Sequence, residues 1–469
     1  MVSFLDRISM SNAKAMGLMQ DLSLTVKKYN IAYFICFATV VIFGVPSTLL
    51  LCASRRPSWY LGGIMVCWGI TNLCAGFVKS FHGLVALRFV LGIFEAGLQP
   101  GVIYLTSLYY TRHEYQKRLS LIFCGNIAAS AFGPLIAYSI GKGIAGAQTV
   151  NPKNSTTNVV SSIASNGYKG WRWVFIVEGS VTAAIGLLAC LLIVDEPDRC
   201  RYLSAEERQL VQKRVAEDRG GGGGATSSSS IDPFAMDRLD ARAVVRSLAD
   251  YKIWLGSLVA IGMGTTSHST AMFMSSILHD FGYKSRDVQF HTLPVYAVAA
   301  VFTLAVGWLS DRLRLRYALI MASTIVATIG YCMLLDETWM NREAKYGASF
   351  LISIGGYSAL PIAFGWLSEN LAGRWKRALG LGIQSALGNM AGVVASNIYR
   401  HEESPAYLTG YGVALGFLWM GAVAATVIAY LMWEENRRRQ LGERAYRLEK
   451  PPVQVANLGD DHPAFRYNI

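Results

Sequence analysis

Charge is what this sequence has least of. Asp, Glu, Lys and Arg make up 16% of its 469 residues, against 52% apolar side chains, a balance outside that of soluble domains. The apolar residues of such a chain face lipid. The apolar runs also lack period-2 alternation, which leaves helices as the spanning elements. GxxxxGK[ST], HExxH and GxSxG are all missing, so nothing supports ATP coupling or an enzyme active site. The eight cysteines are scattered without CxxC pairs or histidine partners, which excludes a metal site and a disulfide framework. No cofactor is implied. A basic segment followed by a short apolar one is absent from the start, so no secretory signal is visible.

What is present is length in the apolar runs. Ile31–Cys52, Trp173–Val194, Ala318–Leu335 and Gly412–Trp433 approach or exceed the roughly 20 residues that cross about 30 Å of hydrocarbon as helix. The sequence predicts spans at 29–52, 59–77, 84–110, 118–141 and 172–194, then at 251–278, 290–310, 317–335, 347–368, 376–399 and 411–433. The expected architecture is an all-α polytopic membrane protein of about eleven full spans with a truncated first helix. Residues 1–194 form one helix bundle, and 195–250 a linker holding the flexible tract GGGGATSSSS, 221–230. Residues 251–433 form a six-helix bundle and 434–469 a tail. Two bundles joined this way describe a secondary transporter that binds its substrate between them.

The net charge of +12 sits between the spans rather than on one soluble face, which excludes nucleic acid and reads as topology. Arg55–Arg56, Arg112 with Lys117–Arg118, Arg312/Arg314/Arg316, Arg374 with Lys376–Arg377 and Arg437–Arg439 share the linker's side, which makes that side, and the tail, cytoplasmic. The opposite loop 142–170 contains Asn154-Ser155-Thr156, a glycosylation acceptor usable only outside.

Each charge inside a span costs about 2.5–3.5 kcal/mol at the bilayer centre even on the mildest scale. In LRFVLGIFEAGLQPG, 87–101, Arg88 and Glu95 stand seven apart and share one helix face. Either Arg88 attracts an anionic substrate while Glu95 takes up and releases a proton, or the two form a permanent internal ion pair. Asn389, within Gly388–Gly392, either hydrogen-bonds substrate or ties two helices. In GWLSDRLRLR, 307–316, Asp311 and Arg312 are expected to form ion pairs that break when the inward gate opens. His268 and His291 read as hydrogen-bonded structure, and Glu178, just after WRW, as interfacial.

The pairing of GWLSDRLRLR with SAFGPLIAYSIG, 130–141, resembles the major facilitator superfamily. RFVLGIFEAGLQPGVIYLTSLYY, GWRWVFIVEGSVTAAIG, WLSENLAGRWKRALGLGIQSALGNMAG and LGDDHPAFRY resemble its anion:cation symporter branch, and within that the fungal allantoate permease group with its nicotinate, pantothenate and biotin carriers. The resemblance implies that Asp6 and Glu95 are proton sites, that Arg7 and Arg88 contact the anion, and that Asn126 and Asn389 line the central cavity. It also implies residues upstream of FLDR, and hence an internal start codon or a shortened product. The function expected is proton-coupled import of a small organic anion, nicotinate- or allantoate-like, across the plasma membrane by a monomer. Efflux of a secondary metabolite, nutrient sensing and an inactive paralogue are the alternatives.

Overall fold

The computed structural model describes residues 2–54, 56–143, 170–218, 241–280, 285–336, 341–399, 403, 406–449 and 459–469. Arg55, Asn154 and the Gly/Ser tract lie outside the described residues. The described residues are helical throughout, without strands. The first part of the chain comprises α1 (Val2–Ala15), α2 (Leu18–Asp21), α3 (Val26–Ala53), α4 (Pro57–Ala75), α5 (Phe81–Glu95), α6 (Leu98–Tyr109), α7 (Arg112–Gly143) and α8 (Gly170–Leu192). Two short helices follow, α9 (Ala205–Asp218) and α10 (Ala241–Leu248). The rest comprises α11 (Tyr251–Asp280), α12 (Ser285–Leu313), α13 (Arg316–Leu335), α14 (Arg342–Asn370), α15 (Arg374–Gly388), α16 (Met390–Ile398) and α17 (Leu408–Gln440).

Each of the eleven expected spans falls on helix. Nine are long and apolar enough to cross a membrane by length and composition, with α5–α6 and α15–α16 each taken as one span. The other two, α4 and α11, are too polar for that count, and for α11 the reason is visible. Ser257, Thr265, Thr266, Ser267, His268, Ser269 and Thr270 are all buried, so its polar side chains face protein rather than lipid. The α5–α6 span breaks at Ala96–Gly97 because Pro100 has no N–H to offer the Ala96 carbonyl. At 14 residues, α1 is about 21 Å long. It ends where Gly17 takes φ +94°, a conformation open to glycine at little cost.

In the first half α4 lies along α8, α3 along α5, and α1 against α7 and α8; in the second, α13 packs on α14 and α11 on α14 and α17. The α4–α8 pair is the tightest, because both helices place glycine at the crossing: a Cβ on Gly179 would stand 2.3 Å from the Leu73 nitrogen, and one on Gly69 2.4 Å from the Ala183 nitrogen. Backbone cannot yield as a flexible side chain does, so Gly179→Val is expected to separate the helices at a cost of at least the ~1–3 kcal/mol of ordinary overpacking. A loss of monodisperse protein in detergent, with the thermal midpoint lowered by several degrees, is the measurable outcome.

The halves meet through α7 on α12 and α14, and through α3 on α15. On the linker side they are locked together. The backbone nitrogens of Gln116 and Lys117 donate to the Asp311 carboxylate at 3.3 and 2.9 Å. Arg316 Nη2 donates to Asp311 at 2.9 Å, to Glu369 at 2.7 Å and across the halves to the Arg112 carbonyl at 2.9 Å. Both Asp311 and Arg312 were expected in ion pairs; Asp311 makes one with Arg316, while Arg312 is exposed and lies over the Trp308 ring. Within the last turn of α12, Ser310 and Asp311 face inward and Arg312 outward, and Arg316, the first residue of α13, is buried beside Asp311.

The tail completes this face. Asn468 donates to Glu369 at 2.9 Å, Trp366 Nε1 donates to the Asn468 carbonyl at 2.8 Å, and Arg112 donates to the Arg466 carbonyl at 3.1 Å. Asp460, almost wholly buried, receives the ammonium groups of Lys252 and of Lys376, the latter at 2.8 Å. Burial alone would push the Asp460 carboxyl up, but Lys252 and Lys376 outweigh it and hold it below the usual range. A depressed carboxylate stabilises the docked tail above its free value, near 3.9, and that support fades only as pH falls through the lower bound value. The Asp460 contribution to tail docking is therefore expected to be equal at pH 5 and pH 7, whereas His462, held below its usual value by burial and by Arg439, weakens docking as pH falls through about 6.5; hydrogen exchange of 459–469 in His462→Gln isolates the Asp460 part. Asp460→Asn should release the tail at pH 7.

Candidate functional site

Half-way along the bundle, α1, α3, α4, α5, α8 and α11 bring together a group of ionisable side chains that lipid would not tolerate. From α1 come Asp6 and Arg7, from α5 Arg88 and Glu95, and from α8 Glu178; each is buried, between 1 and 9% exposed. Arg88 and Glu95 share a face of α5 as their spacing requires, yet they do not pair with each other. Glu95 is taken by Arg7, whose Nε and Nη2 both donate to Oε1 at 2.7 Å. Ser3 donates to the same oxygen at 2.7 Å, and the Cys36 thiol lies 3.8 Å from Oε2. Arg7 is further held between the rings of Phe4 and Phe37, at 5.5 and 5.3 Å.

Arg7 also reaches the second half. Its Nη1 lies 3.2 Å from His268 Nε2, and His268 Nδ1 lies 2.9 Å from the Gly264 carbonyl. A guanidinium only donates and a carbonyl only accepts, so these partners assign the neutral imidazole with its proton on Nδ1. His268 sits 17 residues into α11, in mid-helix rather than near a helix end.

The second cluster lies within the first half. Asn72 Nδ2 donates to Asp6 Oδ1 at 2.7 Å, and the Ser9 hydroxyl meets Glu178 Oε2. Asp6 Oδ2 and Glu178 Oε1 have no hydrogen-bond partner. Arg88 lies within electrostatic reach of both carboxyls, but its only direct neighbours of note are the Met10 sulfur, 3.3 Å from Nη2, and the face of Phe175 at 5.3 Å. Its Nε is unsatisfied, and among the described residues it forms no ion pair. A buried guanidinium that no carboxylate meets at bonding distance is costly, which marks a place where a closer anion would be welcome.

Sequence reasoning missed Glu178, taken there as interfacial. The signal was available: Trp171, Val174, Phe175, Glu178, Gly179, Thr182 and Gly186 recur at helical spacing and all are buried, so Glu178 faces the protein. The two asparagines stand apart from the ionic cluster. Asn389 occupies the break between α15 and α16 and gives its Nδ2 to the Ser385 carbonyl at 2.7 Å. Asn126 is half-buried on α7, where its carbonyl accepts from Ser130.

Residues 1–396 match the profile of the Major Facilitator Superfamily. The chain belongs to that superfamily. Among its relatives are an uncharacterised transporter of Schizosaccharomyces pombe, 31% identical over the whole of this chain and 86% of its own length, and the high-affinity nicotinic acid transporter of Saccharomyces cerevisiae, 25% identical over 99% of this chain and 81% of that protein. The superfamily fold is shared with the solved proton:xylose symporter XylE, at a TM-score of 0.65 over 92% of both chains with 14% identity. This superfamily member is thus a membrane-embedded transporter, and its relatives are carriers rather than enzymes.

Proposed function

We propose that this chain is a proton-coupled carrier for a small organic carboxylate, importing it across the plasma membrane by alternating access of the bundles 1–194 and 251–433. The linker and the 434–469 tail then lie in the cytoplasm. The observation that carries the reading is Arg88: a buried guanidinium with an unsatisfied Nε and no ion pair, beside two carboxyls that each keep an open oxygen. Arg7 is already neutralised by Glu95, which leaves Arg88 to receive the substrate carboxylate. The nicotinic acid transporter among the relatives moves a molecule of the chemistry such a site would take.

Proton coupling follows from charge counting. Asp6, Glu95 and Glu178 bring three negative charges against two from Arg7 and Arg88, and an incoming anion adds another. A water-poor site cannot hold that excess, so the anion enters with protons on Asp6 or Glu95, and the neutralised cluster lets the halves rock. Opening the cytoplasmic face requires the Asp311–Arg316–Glu369 lock to part. A monomer contains every group the mechanism uses.

Uptake of labelled nicotinate, with other organic acids as competitors, in yeast lacking its own nicotinate carrier tests the reading. Uptake or competition should rise as external pH falls and vanish with a protonophore. Flux indifferent to both, or blocked by no carboxylate, overturns it.

A further inference from the structure

We propose that Glu178 is a proton-carrying residue of this site, and that the Ser9 hydroxyl is the rotor that follows its protonation. The argument begins with a count of hydrogens. Ser9 Oγ lies 2.7 Å from the Leu5 carbonyl, one turn back on α1, and also in hydrogen-bond contact with Glu178 Oε2. A hydroxyl has one hydrogen, and a carbonyl only accepts. When Ser9 donates to Leu5, its contact with Glu178 is a hydrogen bond only if Glu178 donates, which requires the carboxylic acid. When Glu178 is ionised, the Ser9 hydrogen turns to the carboxylate and the Leu5 carbonyl keeps its ordinary helical partner. Two protonation states are accommodated by one rotation, with no heavy atom displaced.

The surroundings supply a reason for the proton to come and go. Glu178 faces Asp6 and Ser9 from α1 and Arg88 from α5. The sequence of α4 has no acid, base or histidine, and the charges of α7 are confined to its first two turns and to Lys142 at its end. On α8 itself the other charge, Arg172, is engaged by Asp21. Among the described residues Arg88 is thus the one cation that Asp6 and Glu178 share, and it can balance one carboxylate. With the site empty, Arg88 supports an ionised Glu178 or Asp6. With an anion on Arg88 that support is withdrawn, and Glu178 holds a proton on Oε2, donated to Ser9 Oγ, with the Ser9 hydrogen pointing to Leu5. Anion binding and protonation of Glu178 favour each other by linkage. This direction of coupling rests on the transport reading; the presence of the proton does not.

The test is infrared difference spectroscopy of the purified full-length chain in lipid, titrated from acid to alkaline pH without substrate. Wild type should show carboxylic C=O absorption near neutral pH. Glu178→Gln, which preserves shape and the Ser9 contact, should remove one such component, whereas Asp6→Asn, which leaves Arg88 to Glu178 alone, should keep that component's frequency and shift its titration to lower pH. Ser9→Ala should move the same component in frequency, since the acid loses its acceptor. A Glu178→Gln spectrum superimposable on wild type overturns the proposal, as does a component that Ser9→Ala leaves unmoved. The spectra are read without substrate, so they decide Glu178 whichever way nicotinate uptake decides the transport reading. A role in packing alone would lower thermal stability and leave the carboxyl band untouched.

Discussion

Arg88→Gln is expected to lower carboxylate uptake by about two to three orders of magnitude while leaving the protein as stable as wild type or slightly more so. Among the described residues no carboxylate meets Arg88 at bonding distance, so its removal breaks no ion pair, and the more distant Asp6 and Glu178 can each take up a proton in place of the cation they shared. In the loaded protein it would be the direct partner of the substrate, and losing one side of a buried charge pair costs about 2–5 kcal/mol. Arg7→Gln should behave the other way. Glu95 would keep only Ser3 and the Cys36 thiol, and an uncompensated buried carboxylate costs about 3–5 kcal/mol of stability. Thermal midpoints in detergent and initial uptake rates, measured on the same pair of variants, separate the two roles. Arg88→Gln flux within threefold of wild type would remove Arg88 from the binding site.

The helices were legible in the sequence because spanning is decided locally: a run of apolar residues either is or is not long enough, whatever lies beside it. The face shared by Arg88 and Glu95 was legible for the same reason, since seven residues close two helical turns. Partner choice was not. The guanidinium that reaches Glu95 is Arg7, on a different helix, and only the packing of α1 against its neighbours decides that. The same holds at the linker-side contact between the halves, where Arg312, Arg314 and Arg316 are equivalent in sequence and Arg316 alone of the three is buried, at the start of α13. Glu178 shows a different kind of failure. Its place just after WRW suggested an interfacial position, whereas its helical face, shared with Trp171, Val174, Phe175 and Thr182, is the buried one. The tail docks because Asp460, Phe465 and Tyr467 are buried one by one against groups on four helices, contacts that its own sequence does not specify.

The residues that join the halves on the linker side carry the second large effect expected. Arg316 is 1% exposed and is neutralised by Asp311 and Glu369 together. Glu369 also accepts from Asn468 of the tail, so it joins the second half to the tail at the point where Arg316 grips the first half through the Arg112 carbonyl. Glu369→Ala leaves Arg316 with one carboxylate and frees the tail amide, and the penalty, about 3–5 kcal/mol for breaking a buried pair, falls on the state closed at this face. The open state, where the halves are already apart, has less to lose. Each 1.4 kcal/mol of that difference shifts the populations tenfold. Cys52 reports the shift, because it is buried at the end of α3 where its carbonyl accepts from Arg374, 3.1 Å away. Alkylation of Cys52, read by peptide mass, should accelerate at least tenfold in Glu369→Ala and less in Glu369→Gln, which keeps a hydrogen-bond acceptor for Arg316. If the thermal midpoint falls but Cys52 reacts at the wild-type rate, the network stabilises the second half alone and holds no gate.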